Sequence, residues 1–317
     1  MNAAKLHPEI APLFATMVAA CDPPMELRQP HEVRALMDGF ARNEMPPRPD
    51  TVVTEDMVAE LPGRSIRLRL FKPRGATGPL PIMLYFHGGG WVIGNIDTHD
   101  RYVCALTEAS GVAYFAVDYR LAPEHPYPAA IDDCYDALCW IAEHAARLGL
   151  DATRIGVSGD SAGGQLSAAC TFLARKNGTP KLSFQLLIYP LTDRDTSRPS
   201  YHSWDNLLLT TPYMEWFWKH FYGEGMPTDT LVVPLQEPDL TGLPPAYVVT
   251  CEYDILRDEG ELYAMRLMDA GVSTTLRRVP GGAHPFFRAM FTSPMVRAEI
   301  REMGHQIRRY LVDEMAR

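Results

Sequence analysis

Gly159-Asp160-Ser161-Ala162-Gly163 is a Gly-x-Ser-x-Gly pattern set between two different kinds of sequence. Before it runs a short apolar, strand-like stretch, Arg154-Ile155-Gly156-Val157. After it, small residues from Gly164 to Ala174 read as a helix. A serine at such a strand–helix junction sits on a sharp, strained turn with its hydroxyl raised above the sheet edge. Glycines on either side, lacking Cβ, let strand and helix come close. The chemistry expected is nucleophilic attack on a carbonyl. The competing reading is a Gly/Ser-rich loop that holds a phosphate or nothing at all.

A serine hydroxyl is a weak nucleophile until a base removes its proton. That base is a histidine, and a carboxylate must fix its tautomer and stabilise the imidazolium. In strand–serine–helix elbows the partners follow in the order Ser, acid, His. His284 fits by position: Pro280-Gly281-Gly282-Ala283-His284-Pro285 follows the last apolar run, Thr274 to Val279. His99 and His125, in loops after earlier runs, are its rivals. The acid should end the preceding strand, Ala246 to Cys251, after which comes Glu252-Tyr253-Asp254-Ile255-Leu256-Arg257-Asp258. Asp254 is the choice. Glu252 lies very near the strand, and Asp258 already opens a helix, where an acid is favoured by the dipole alone.

Attack on a carbonyl creates an oxyanion, which preorganised N–H donors must hold. His87-Gly88-Gly89-Gly90-Trp91 follows the run Ile82-Met83-Leu84-Tyr85-Phe86, and its glycines can turn backbone N–H groups toward one oxygen. Gly88, Gly89 and Ala162 are the expected donors. A phosphate-cradling loop is disfavoured because neither Gly-Lys-[Ser/Thr] nor Gly-x-Gly-x-x-Gly accompanies it.

These residues need elements to hold them. Apolar runs at 82–86, 112–117, 154–157, 184–189, 246–251 and 274–279 alternate with helical stretches near 99–109, 131–147, 163–175 and 258–270, with a last helix over 295–315. Near-continuous apolar strands alternating with helices predict a mostly parallel sheet covered on both faces, with its site at the carboxyl ends of the strands. A hairpin precedes them, Thr51 to Leu61 and Ser65 to Phe71 around Pro62-Gly63, the second arm alternating apolar and arginine residues. Residues 1–45 read as helices. Residues 193–225 break the rhythm with a polar loop and an aromatic helix from Tyr213 to Tyr222, which Thr210 or Thr211 can cap. The expected organisation is a helical cap (1–45 and 193–225) over a catalytic domain (46–192 and 226–317).

The 317 residues carry 39 acidic against 30 basic side chains, a net charge of −9, and no basic stripe, so a nucleic-acid partner is not expected. Six cysteines, at 21, 104, 134, 139, 170 and 251, form no Cys-x-x-Cys pair and no zinc spacing. They read as free thiols of a reducing, cytoplasmic compartment. Ala11 to Cys21 is uncharged and Val18-Ala19-Ala20-Cys21 looks like a lipoprotein cleavage box. Leu6, Ile10, Phe14 and Met17 nevertheless recur at helical spacing, so an amphipathic helix of the mature chain is expected in place of a secretion signal. No apolar run has the length of a membrane span.

The glycine loop, Asp118-Tyr119-Arg120-Leu121-Ala122-Pro123-Glu124, Gly159-Asp160-Ser161-Ala162-Gly163-Gly164 and Glu252 to Asp258 together resemble the hormone-sensitive lipase family of α/β-hydrolases, in its bacterial esterase branch. The likeness covers about 80 to 317. It implies an α/β-hydrolase fold: a mostly parallel eight-stranded sheet, helices on both faces and a small helical cap. It also implies a serine carboxylesterase of short- to medium-chain esters with Ser161, Asp254 and His284 as its triad. No cofactor or metal is required. Trp91, Asp160, Tyr213 and Phe217 are the candidate substrate contacts, and a homodimer is a possible assembly. A salt bridge is expected in the Tyr119–Glu124 loop. Two departures stand out. His284-Pro285-Phe286 replaces the usual His-Gly-Phe, placing Pro285 at a first helical turn, and Leu231-Val232-Val233-Pro234-Leu235 replaces a polar Ser-Pro segment.

Overall fold

A computed structural model gives the arrangement of residues 5–204 and 207–314. The flanking ends of the expected ranges, 1–4 and 315–317, and residues 205–206 within the insertion lie outside these. Three pieces precede the sheet: α1 (Ala11–Ala20), a 3-10 turn (Met25–Leu27) and α2 (Pro30–Glu44). Pro30 opens α2, where its missing N–H costs nothing, and Gln29 and Glu32 form a capping box. Phe14 and Met17 of α1 are buried, as helical spacing of the apolar residues requires.

Eight strands form one sheet in the order β1-β2-β4-β3-β5-β6-β7-β8. The hairpin β1 (Val52–Leu61) and β2 (Arg64–Pro73) is antiparallel, and β2 joins β4 (Ala113–Asp118) antiparallel. The pairings among β3 (Leu80–Phe86), β4, β5 (Leu150–Asp160), β6 (Leu182–Ile188), β7 (Ala246–Tyr253) and β8 (Thr274–Ala283) are parallel. Chain order reverses at β3, with β4 laid on one side and β5 on the other. Open sheets bind ligands at the carboxyl ends of strands flanking such a switch.

Both faces are covered, which explains the continuous apolar runs. Along β3, Ile82, Leu84 and Phe86 pack with α4 (Ala129–His144) and α5 (Ala162–Asn177), while Met83 and Tyr85 face α3 (Ile96–Ser110) and α9 (Pro294–Arg308). α8 (Arg257–Asp269) covers β6 and β7 through Tyr263 and Leu267. The insertion holds α6 (Pro199–Trp204) and α7 (Thr211–Phe221). Thr210 caps α7 by accepting the Tyr213 N–H at 3.2 Å, and Pro212 lies in the first turn.

The N-terminal helices are tied to the sheet by Arg34 of α2. It donates to the carbonyls of Val92 (2.7 Å) and Ala122 (2.7 Å) and holds Glu124 with two parallel bonds of 2.8 and 2.7 Å. This holds the Glu124 carboxyl down at about 2. Arg120 pairs in the same bidentate way with buried Asp133. The ion pairs expected of the Tyr119–Glu124 loop are therefore present, and one of them anchors α2.

Candidate active site

The serine junction forms as the pattern demands. Ser161 has φ 57° and ψ −120°, a strained left-handed conformation for a residue with a side chain. Its N–H is bonded to Ile188 O at 2.9 Å, and α5 starts at the next residue. The crossing is tight: a Cβ on Gly163 would come within 1.8 Å of Phe86 O. Only glycine lets α5 lie this close to the end of β3.

Asp254 and His284 meet through strand register. β7 and β8 pair Cys251 with Val279 and then Tyr253 with Ala283, so β8 carries two extra residues in a bulge. The next residues on the two strands, Asp254 and His284, are thereby brought side by side. His284 Nδ1 lies 2.9 Å from Asp254 Oδ2, and Asp254 Oδ1 accepts the Leu256 N–H at 3.0 Å. With both oxygens engaged the carboxylate cannot rotate freely. An Nδ1–H held there leaves the His284 Nε2 lone pair available for a proton. Asp254 and His284 are buried, at 2% and 8% exposure, and His284 shares one cavity with Ser161. The Tyr189 ring meets the imidazole edge-on at 4.6 Å.

The alternatives have other tasks. Glu252 accepts the Gly281 N–H at 2.8 Å, steadying the β8 bulge. Asp258 accepts the Ser200 N–H at 2.8 Å. His125 is exposed in the loop after β4. His99 is buried with Nε2 3.7 Å from Asp160, and burial lowers its pKa.

The glycine loop differs from expectation at one donor. The Gly88 N–H is bonded to Asp160 Oδ1 at 2.8 Å, so it cannot also hold an oxyanion. Tyr85 Oη donates to the same oxygen at 2.7 Å. The N–H groups of Gly89, Gly90 and Ala162 have no acceptor among the described residues, and all three glycines of the loop line the cavity. Gly89 (φ 118°) and Gly90 (φ 55°) make the turn that presents them. Of the expected donors Gly88, Gly89 and Ala162, Gly88 is thus engaged within the protein, while Gly89 and Ala162, together with Gly90, keep unbonded N–H groups. Below the loop lies His87, stacked on Tyr119 at 4.1 Å. Burial drives its pKa down to about 3, so it stays neutral, and Tyr119 Oη donates to its carbonyl at 2.7 Å.

A family model described as the alpha/beta hydrolase fold matches residues 83–288, which contain every residue named above for the chemistry. The chain belongs to the α/β-hydrolases, in the hormone-sensitive lipase family. It is 43% identical over 234 residues to carboxylesterase NlhH of Mycobacterium tuberculosis, covering 72% of this chain and 73% of that one. Similarity to the ethyl acetate hydrolase of Pseudomonas putida is 38% over 238 residues, covering 71% and 73%. A thermostable esterase structure from Pseudomonas putida superposes with a TM-score of 0.89 at 34% identity, covering 97% and 98% of the two chains.

In this hydrolase the four candidate substrate contacts separate into two pairs. Tyr213 and Phe217 of α7 line the cavity, and the Phe217 ring occupies the space a Cβ on Gly90 would take. Asp160 also borders the cavity but is 4% exposed and holds the glycine loop; Tyr189 Oη lies 3.4 Å from its second oxygen. Trp91 is fully buried and away from the cavity. Its ring stacks on Phe221 at 4.1 Å and its Nε1–H is bonded to Gln165 at 2.7 Å, so it seats α7. Its backbone has a positive φ of 61°, and its buried position was not revealed by residue type alone. Sequence reading also passed over Met17, Met25 and Met37, which line the cavity from the N-terminal segment, and Arg288, four residues after His284. Among the described residues no cluster of three His, Cys, Asp or Glu side chains is placed to hold a metal ion, and no helix is long and apolar enough to cross a membrane.

Proposed function

We propose that this carboxylic ester hydrolase cleaves short- to medium-chain esters through an acyl-enzyme on Ser161. The observation carrying this reading is the convergence of Ser161, the Asp254-held His284 and the glycine loop on one cavity, with the unbonded Ala162 N–H following the serine. Ser161 Oγ attacks the ester carbonyl as His284 Nε2 takes its proton. The oxygen that becomes negative accepts from Gly89, Gly90 and Ala162, each such donor being worth about 10²–10³ in rate. His284 returns the proton to the departing alcohol. It then deprotonates a water, which releases the acid and restores the serine. Asp254 keeps the ring oriented and stabilises its cationic form.

Residues 5–45 and 193–225 act as a cap in this reading. Met17, Met25 and Met37 from one segment and Tyr213, Met214 and Phe217 from the other all line the cavity. Its lining is mostly apolar with a few polar groups beside Ser161, as a site for a compact ester requires. The test is turnover of ester, thioester and amide substrates matched in acyl group, with acyl length varied from two to twelve carbons. Esters of two to eight carbons should give the highest kcat/KM; amides matching esters, or a maximum at twelve carbons, would reject the assignment.

The same proposal includes a homodimer and a reducing compartment. β8 ends the sheet with one edge unpaired, and α8 beside it exposes Leu262, Met265 and Met268. Sedimentation at micromolar concentration should return twice the 35.5 kDa chain mass; a single-chain mass would remove the dimer. The six cysteines are all unpaired thiols.

A further inference from the structure

Arg288 is the one lysine or arginine that lines the cavity among the described residues. It belongs to the 3-10 turn Phe286–Phe291 that follows His284, and its N–H is bonded to Pro285 O at 3.3 Å. Phe286, Phe287, Ala289 and Met290 of that turn are buried, which leaves Arg288 to face the opening. Its side chain crosses to α2, with Nη2 3.4 Å from the Met37 sulfur. A thioether is a weak acceptor for a guanidinium. No carboxylate among the described residues lies within ion-pair reach of Arg288, whereas Arg34, Arg69 and Arg120 each hold at least one. Other described arginines without an ion pair, such as Arg266 and Arg297, bond backbone carbonyls and lie away from the cavity; among the described residues Arg288 alone combines an unpaired guanidinium with a place in its lining. Met37 touches it, and the lining it shares includes apolar Met17, Met25 and Phe217 as well as the neutral polar groups of Cys21 and Tyr213.

We infer that Arg288 receives a carboxylate carried by the ester itself, making the preferred substrates esters that also bear an acid group. The inference rests on the esterase reading. A guanidinium offers a planar fork that matches a carboxylate with two parallel hydrogen bonds. In an apolar, part-buried cavity that pairing is stronger than on an open surface. Arg288 is thus a specificity-determining residue held one short turn from the base.

Two substrate pairs test it. Monoethyl succinate and its carboxamide isostere ethyl succinamate place the group on the acyl side. O-acetylglycolate and O-acetylglycolamide place it on the alcohol side. The readout is the acid-to-amide ratio of kcat/KM, which a general loss of activity or folding leaves unchanged. In the native chain the ratio should exceed one in at least one pair and decline with added salt. R288Q should lower that ratio about 10- to 100-fold, mainly through KM, as expected for a lost charge-assisted pair, with R288K recovering part. Ratios in R288Q equal to the native ones, or a native preference for the amide in both pairs, would overturn the inference. If R288Q does not fold, the native ratio and its salt dependence decide. Ethyl butyrate separates the two levels: its turnover with unchanged ratios removes only the role of Arg288, and its inertness removes the esterase reading as well.

Discussion

Two carboxylates within three residues, Glu252 and Asp254, compete for one function, and hydrogen bonding separates them. Asp254 Oδ2 lies 2.9 Å from His284 Nδ1, whereas Glu252 is committed to the Gly281 N–H. Asp254→Asn should therefore lower kcat by up to ~10⁴, because the amide cannot enforce the same imidazole tautomer. Glu252→Gln should lower it less than tenfold. Steady-state kinetics of both variants checks this, and a larger loss in Glu252→Gln would reverse the assignment. The placement of Ser161, Asp254 and His284 near one another was legible because elbow, chain order and strand-end position are sequence properties. The donor set was legible only in part. Choosing among Gly88, Gly89 and Gly90 required knowing that the Asp160 side chain folds back onto the first of them, a tertiary contact across 72 residues. Trp91 was named a substrate contact from its residue type, and its stacking on Phe221 and bond to Gln165 are tertiary contacts that the sequence does not carry.

Elements place these residues, and their interiors were easier to read than their ends. The six βα strands occur where apolar runs stand, but β8 continues past Val279 through Pro280-Gly281-Gly282 to Ala283. Those residues read as a flexible loop because glycine and proline punctuate sequences; in the fold they make a bulge that brings His284 level with Asp254. Pro285 precedes its helical turn and does not sit inside it. Glu259, in the first turn of α8, was not singled out, yet it fastens the loop after β6. One oxygen accepts the N–H groups of Thr192 (2.7 Å) and Asp193 (3.1 Å), and the other accepts from Tyr201 Oη at 3.1 Å. Burial pushes its pKa up to about 8. The unfolded chain releases this proton near 4.5 and the folded chain near 8, so unfolding releases it between those values. Stability should then fall as pH rises from about 4.5 to 8. Glu259→Gln, which titrates in neither state, should flatten this decline in urea denaturation midpoints measured across the window. An identical slope in the variant would show that other groups set it.

At the scale of the whole molecule, a sheet built by non-local pairing supports a cavity whose two sides come from distant parts of the chain. One side is built from residues at the carboxyl ends of β3, β5, β6 and β8. Segments near residues 17–40 and 208–217 supply further lining, the roof of the proposed cap. Composition indicated only a globular chain, alternating apolar runs and helices indicated the α/β class, and the insertion stood out by its aromatic content. Nothing in composition indicated how far the roof encloses the site, since that depends on Arg34 gripping the Val92 and Ala122 carbonyls across 58 and 88 residues. The central claim remains a local one: Ser161 is made nucleophilic by a distant histidine. It is tested most directly by treating the intact protein with a fluorophosphonate and mapping the adduct by peptide mass spectrometry. A single adduct on Ser161, absent in Ser161→Ala together with all ester turnover, is the expected result. An unlabelled Ser161, or a Ser161→Ala variant that still cleaves esters at the native rate, would contradict the account.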